Sequence, residues 1–440
     1  MKGSVRDGLS PAGAPVGRRA ASLALTAMLA IYFLSLFQRT AIPGTIFNEL
    51  QREWNVSASA VALLGAIYLW TYGGMQLVIG VLVDRIGGTR ALLAGGAILA
   101  TGATLFPMVH SLRSLYVCRA LTAVGDSFVF LCLVKELSLL FEPRRFASLL
   151  GVVLFVGYCG GMAAMLPFER AVHAFGWREV LLGMGLLTFG VVGLASSPLR
   201  KLNHFVASGV PFTLRPLQEI LLNRPNWPIL ASGFINFAVY FVIQAGLGKK
   251  FVQDFVGLSS PRAATFTLIM MASSAGCCLL SGPALHYAGG RRKPFLVLSA
   301  GMVLTATLLM LAGVHFGARP WLFLTGYVLL ALSNVAGPIS STVMKELNEP
   351  RHVGQAVALF NAIAYAGVSL VMTMSGMVLD CFRAGAATTT EGIIYPPAAY
   401  ATLFAVLAFL AVMSTIATVF VRETGDAPVL GEDRAARPVE

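Results

Sequence analysis

Apolar residues run along the chain in long blocks separated by short polar connections. Twelve blocks approach the ~20 residues that a helix needs to cross about 30 Å of hydrocarbon. They cover 20–47, 58–83, 91–109, 115–140, 146–166, 180–196, 228–247, 263–286, 294–314, 321–344, 355–379 and 398–421. Backbone polar groups find no partner in hydrocarbon, so runs of this length predict membrane-spanning helices. The alternation of a membrane barrel strand is absent. The pattern predicts an all-α polytopic membrane protein of twelve helices.

Composition agrees. Of 440 residues, 57% are hydrophobic and 12% charged, and the mean hydropathy is +0.76. Soluble chains carry about 25% charged residues, and a soluble core of this length would leave a surface that so little charge cannot cover. The dominance of Leu, Val, Ile and Phe excludes disorder. The net charge of +12 lacks the polar surface that a nucleic-acid partner needs. Membrane topology accounts for it instead: with the amino end inside, the inner connections hold 21 Lys and Arg and the outer ones nine, which orients both termini to the cytosol. The expected location is a bacterial-type inner membrane. No small-residue cleavage site follows the first block, so no removable signal peptide is expected. The six cysteines lack metal or paired spacing and read as small apolar residues; no metal or cofactor is expected.

The longest inner connection, 197–227, contains Pro198, Pro211, Pro216 and Pro225 and reads as a linker between bundles 20–196 and 228–421, with 1–19 and 422–440 as cytosolic tails. The bundles repeat each other. Gly80 to Arg90 joins spans two and three, and Gly282 to Arg292 joins spans eight and nine at an offset of 202. Lys135-Glu136-Leu137 recurs as Lys345-Glu346-Leu347, and Glu142-Pro143-Arg144 as Glu349-Pro350-Arg351. Two six-helix halves in one orientation are the arrangement of secondary transporters, whose substrate sites lie at mid-depth between halves.

Several motifs resemble a known family. Gly80-Val-Leu-Val-Asp84-Arg85-Ile-Gly87-Gly88-Thr-Arg90 resembles the signature loop of the major facilitator superfamily, and Arg119 to Asp126 its fourth-helix motif, with Ala123 in place of the first Gly. The Gly-Pro pair of drug-proton antiporters is absent from span five, against multidrug efflux. Trp70-Thr-Tyr72-Gly-Gly-Met-Gln76-Leu and Phe175-Gly176-Trp177-Arg178 resemble motifs of the anion:cation symporter branch, which takes up organic anions. That branch has an Asp-Arg pair in its first helix, where this chain has Gln38-Arg39, and a fourth-helix acid that corresponds to Asp126. Related organophosphate antiporters carry an Arg in helix seven; block 228–247 has none, which disfavours a phosphate ester.

Asp126 reads as the only carboxylate well inside a span, about 16 Å past Leu115. It is a candidate proton acceptor, or else a structural partner of Arg119 or Arg39. Arg39 reads as a carboxylate anchor or as an interfacial arginine reaching outward. Tyr72, Gln76, Tyr240 and Asn361 are candidate substrate contacts; the stripe Asn236, Tyr240, Gln244, with Asn334, Asn361 and Tyr365, faces either a polar cavity or neighbouring helices. Gly80, Asp84, Arg85, Gly87, Arg90 and Arg119 form the gating and structural set, and His286 occupies the place of Asp84 in the second half. The implied function is proton-coupled uptake of a small organic anion by a monomer using alternating access. An antiporter or exporter of another solute, and a non-transporting membrane sensor, are the rivals. No nucleophile-base pair or metal cluster suggests an enzyme.

Overall fold

The computed structural model describes residues 18–200, 215–287, 290–317, 319–389 and 392–425. Most of each tail (1–17 and 426–440) and residues 201–214 of the linker therefore lie outside the described residues. Twelve helices long and apolar enough to span a membrane occur among those described. The first half contains α1 (Arg18–Ala41), α2 (Phe47–Trp54), α3 (Ala58–Ile86), α4 (Gly88–Leu105), α5 (Leu112–Leu140), α6 (Pro143–Ala163), α7 (Leu166–Phe175) and α8 (Trp177–Arg200). After α9 (Arg215–Leu222), the second half contains α10 (Asn226–Phe241), α11 (Gly248–Asp254), α12 (Ser260–Tyr287), α13 (Lys293–Phe316), α14 (Pro320–Ser333), α15 (Ala336–Glu346), α16 (Val353–Cys381) and α17 (Pro397–Val419). A short antiparallel hairpin, β1 (Ala387–Thr389) and β2 (Gly392–Ile394), lies between α16 and α17.

Local chemistry sets the boundaries. Ser57 and Ser111 accept from the amides of Ala60 and Ser114 and so start α3 and α5. Gly87, at φ 88°, turns α3 directly into α4, a backbone conformation in which a side chain is strained. Gly125 lets α5 approach α4 closely: a Cβ there would fall 2.2 Å from the Leu99 amide.

Three spans differ from the sequence reading. The block 20–47 is not one helix, because α1 stops at Ala41 before Pro43 and a short 3-10 turn leads into α2. Span five continues through α7 to Phe175, and span seven passes through a π turn, Val242–Leu247, into α11. In both, the helix outlasts the purely apolar stretch and carries late charged residues, Glu169 in one and Lys249 and Lys250 in the other, that are buried between the halves.

Two buried clusters belong to single halves, one around Leu92, Leu99 and Val129, the other around Ile339, Val343 and Phe360. The largest joins both halves through Phe47, Ala62, Val239, Phe251 and Tyr400. It lies mainly at the end away from the described chain ends, here called the far face; the other is the terminal face. At the far face the Asp380 carboxylate accepts from the amides of Ala58 and Ser59 at 2.7 and 3.0 Å, which ties α16 to α3. Large apolar side chains such as Leu194 and Phe409 point outward, as lipid-facing helices require.

Candidate functional site

A cavity of about 380 Å³ lies between the halves. Arg39 and Tyr72 line it at mid-depth, and residues such as Val357 and Thr418 carry it toward the terminal face. Asp126 lies beside Arg39; the carboxylate is fully buried and the guanidinium nearly so. Arg39 donates from Nε and Nη2 to Asp126 Oδ2, at 2.9 and 2.7 Å. Tyr68 donates to the same oxygen at 2.5 Å, and Ser35 donates to Oδ1. The carboxylate thus has partners on both oxygens, as a buried charge requires.

Aromatic rings hold the guanidinium from the cavity side. It lies 4.1 Å from the centroid of the Tyr72 ring, a cation–π geometry. Its Nη1 donates to the Tyr365 hydroxyl, on α16 of the second half, at 3.3 Å. Tyr365 packs edge-on against Tyr72 with centroids 4.8 Å apart. One cation therefore touches both halves, and the face of it not bound by Asp126 borders the cavity.

The alternatives left open for Asp126 narrow to one partner. Arg119 does not reach Asp126 by hydrogen bond; it donates to the carbonyls of Gln38 and Ile42 at 3.1 and 3.0 Å and lies over the Tyr68 ring at 4.2 Å. It braces the end of α1, whose last carbonyls have no helical partner. Arg39 points inward rather than out to the interface.

Gln76, Tyr240 and Asn361 line the cavity, with Asn236 and Asn334. Tyr240 also shares a hydrogen bond of 2.9 Å with Ser274, and Asn334 donates across the halves to Tyr158 at 3.2 Å. Gln244 is buried in the π turn, within 3.3 Å of the Met271 sulfur. In the signature loop, Gly80 faces open space, Gly87 makes the turn, and Arg85 and Arg90 are exposed. The side chains of Asp84 and His286 lie outside the described residues.

Asp126 is not the only buried carboxylate among the described residues: Glu136 and Glu169 are buried near the ends of their spans. Glu169, on α7, is ion-paired with Lys249 of α11, which also donates to the Thr45 carbonyl at 2.5 Å. Sequence reasoning also missed Ser35 and Tyr68. The signal was present: Ser35 precedes Arg39, and Tyr68 precedes Tyr72, by one helical turn on the same face. The Phe175 to Arg178 motif is structural: Trp177 and Arg178 both donate to Glu53 on α2, at 2.7 and 2.6 Å.

Comparison with known proteins places this geometry in a family. Residues 28–370 match the Major Facilitator Superfamily. Monocarboxylate transporter 7 of Homo sapiens is 28% identical over 168 residues, 37% of this chain and 32% of that protein. Probable anion transporter 3, chloroplastic, of Arabidopsis thaliana is 26% identical over 254 residues, 53% of this chain and 48% of that protein. The chain thus matches about a third to a half of these relatives' lengths. A bacterial homologue of the human lysosomal transporter Spinster, solved in an inward-facing, unoccupied conformation, superimposes with a TM-score of 0.73 at 18% identity, covering 92% of this chain and 97% of that one. The twelve-helix fold is thereby established, and the chain is a multi-pass membrane protein that belongs to the Major Facilitator Superfamily.

Proposed function

We propose that the protein carries a small organic anion, a carboxylate, across a bacterial-type inner membrane by alternating access, as a monomer coupled to protons. The observation that carries this reading is the buried Arg39–Asp126 pair, whose cation borders the cavity and contacts both halves. Arg39 offers a planar fork that suits a carboxylate. Tyr72 and Tyr365 hold the guanidinium, while Gln76, Tyr240 and Asn361 contact the rest of the ligand. An arriving carboxylate competes with Asp126 for Arg39. Asp126 is then a buried charge without its partner, a costly state that a proton entering with the anion relieves. Anion and proton load together, which is symport.

The names of the two relatives, a monocarboxylate transporter and an anion transporter, support the ligand class. With both termini cytosolic, the terminal face is the inner one, and the described state is inward-open. Asp84, Arg85 and Arg90 then sit on the cytosolic side, where they bias the conformational cycle.

The test uses proteoliposomes loaded with unlabelled mono- or dicarboxylate. Labelled anion should enter by counterflow, and an inward proton gradient should drive its accumulation. Counterflow without any response to a proton gradient overturns the coupling. Expulsion of the solute against an inward proton gradient makes the protein an antiporter. Absence of counterflow for every carboxylate overturns the anion reading.

A further inference from the structure

Two consecutive lysines of α11 fasten the second half to the first at the far face. Lys249 reaches Glu169 and the Thr45 carbonyl. Lys250 reaches Asn48 Oδ1 at 2.8 Å, the Ile393 carbonyl at 2.7 Å and Asp254 Oδ2 at 3.1 Å. Both lysines are almost fully buried. Thr45 and Glu49 stand one helical turn apart, on the turn leading into α2 and on α2 itself, so Glu49 belongs to the same cluster. Its Oε2 is buried and has no hydrogen-bond partner among the described residues.

Every charge facing Glu49 can be named. Lys249, on α11, attracts it; Glu169, on α7, repels it; Arg52, one turn on along α2, adds a weaker attraction. Lys250, with its donors spent on Asn48, Ile393 and Asp254, attracts Glu49 from further off. Two carboxylates thus share one lysine, and Glu169 holds it by direct contact. Burial, the strongest influence, raises the Glu49 pKa above the usual glutamate value; Lys249 lowers it in part and Glu169 raises it further.

We infer that Glu49 is a second proton-binding site, separate from Arg39 and Asp126, and that its protonation latches the far face shut. In the closed state Glu49 is a neutral acid beside the Glu169–Lys249 pair. Opening carries Lys249 away with the second half and admits water. The Glu49 O–H proton then passes to water on the far side, leaving a carboxylate. The closed state holds one more proton than the open one, so acid on the far side favours closure. The sign follows from linkage: stabilisation of the closed state is complete below the open-state pKa and is lost as pH rises through the closed-state pKa. This rests on alternating access but not on the identity of any cargo.

The experiment needs no cargo. Spin labels at His110→Cys and Phe316→Cys, exposed positions on the far face of the two halves, are placed in a Cys381→Ser background in lipid nanodiscs. Their distance distribution is recorded from pH 5 to pH 9. The closed fraction should fall with rising pH, the closed-to-open ratio changing by up to about tenfold per pH unit between the two pKa values. Glu49→Gln, which imitates the neutral acid, should stay closed throughout. Glu169→Gln leaves Lys249 to Glu49 and should move the midpoint to lower pH. A pH-independent distribution in the parent, or an unchanged midpoint in Glu49→Gln, overturns the inference. A failure of anion transport in the proteoliposomes leaves this result unaffected.

Discussion

The two halves share one topology but divide the work differently. The first half puts its charge at mid-depth on unbroken helix: Asp126 lies within the continuous α5, and Arg39 two residues before the end of α1. The second half lines the same cavity with neutral groups, Asn236, Tyr240, Asn334, Asn361 and Tyr365. Its corresponding spans are irregular. Span ten breaks at Asn334 between α14 and α15, and span seven contains a π turn, a feature frequent at functional sites. A buried ion pair requires fixed geometry to offset desolvation. Neutral hydrogen-bonding groups tolerate rearrangement at lower cost. The contrast suggests that the first half holds the charges while the second moves around them.

Substitution of Arg39 is the severest test of that division. Arg39→Gln leaves Asp126 buried without its cation, and loss of one partner of a buried pair costs about 3–5 kcal/mol. Uptake should fall by roughly 100-fold or more. Arg39→Lys restores the charge but not the fork that places Nε and Nη2 on one carboxylate oxygen, so it should rescue poorly. Initial uptake rates in proteoliposomes decide the matter. Parental rates in Arg39→Lys would show that no planar anchor is needed.

Next in size is Asp126→Asn, which imitates the protonated acid while keeping a hydrogen-bonding side chain beside Ser35 and Tyr68. Counterflow should persist at near-parental rates. Accumulation driven by an inward proton gradient should fall by about tenfold or more, the equivalent of one lost protonation step. If Asp126→Asn still concentrates the anion with protons as the only driving force, Asp126 is a structural partner of Arg39, and the coupling site lies elsewhere.

A smaller effect belongs to the second half. Tyr365→Phe removes the 3.3 Å hydrogen bond to Arg39 and keeps the ring against Tyr72. The donor is charged but the bond is long, so it contributes at the low end of the range for a hydrogen bond to a charged group, about 1.5–3 kcal/mol, and KM for the anion should rise about tenfold with proton coupling intact. A loss as large as that of Arg39→Gln would mean that the second half also fixes the charged site, and the division between halves would fail.

Much of this was legible in the sequence. Span count, repeat and mid-depth charges follow from apolar run length and from motif spacing, which are local. What stayed hidden are pairings between distant segments. Glu169 and Lys249 each fall just past the apolar part of a span and read as loop charges. Only the folded chain brings them together, in an ion pair between α7 and α11 that makes each affordable in a buried place. The choice of Arg39 over Arg119 for Asp126 was equally hidden. Arg119 and Asp126 share one helix and one face, which favoured them as a pair. The broken end of α1 drew Arg119 to the Gln38 and Ile42 carbonyls instead.

The weakest expected effect tests how each half secures its second helical hairpin at the terminal face. In the first half, Glu136 comes from inside α5 against Gly88 at the start of α4. In the second, the equivalent Glu346 binds Arg292 and Thr424, and Glu423, from beyond α17, caps the start of α13. Glu423 accepts from the amides of Arg292 and Lys293 at 2.8 and 3.0 Å and from those of Thr424 and Gly425 at 3.0 Å. Burial alone would raise its pKa, but the four amides outweigh it and hold the carboxyl below the usual glutamate range. A depressed pKa contributes stability that is present above the unfolded-state value and lost as pH falls through the folded-state value. Glu423 is partly exposed, so water screens it, and a charge at a helix start is worth about 0.3–1 kcal/mol. Glu423→Gln should therefore lower the thermal stability of the purified protein slightly at pH 7, and the difference from the parent should vanish once the pH falls below the folded-state pKa. A deficit that persists unchanged into strong acid would mean that Glu423 acts through packing rather than charge, and the two hairpins would then be secured in the same way.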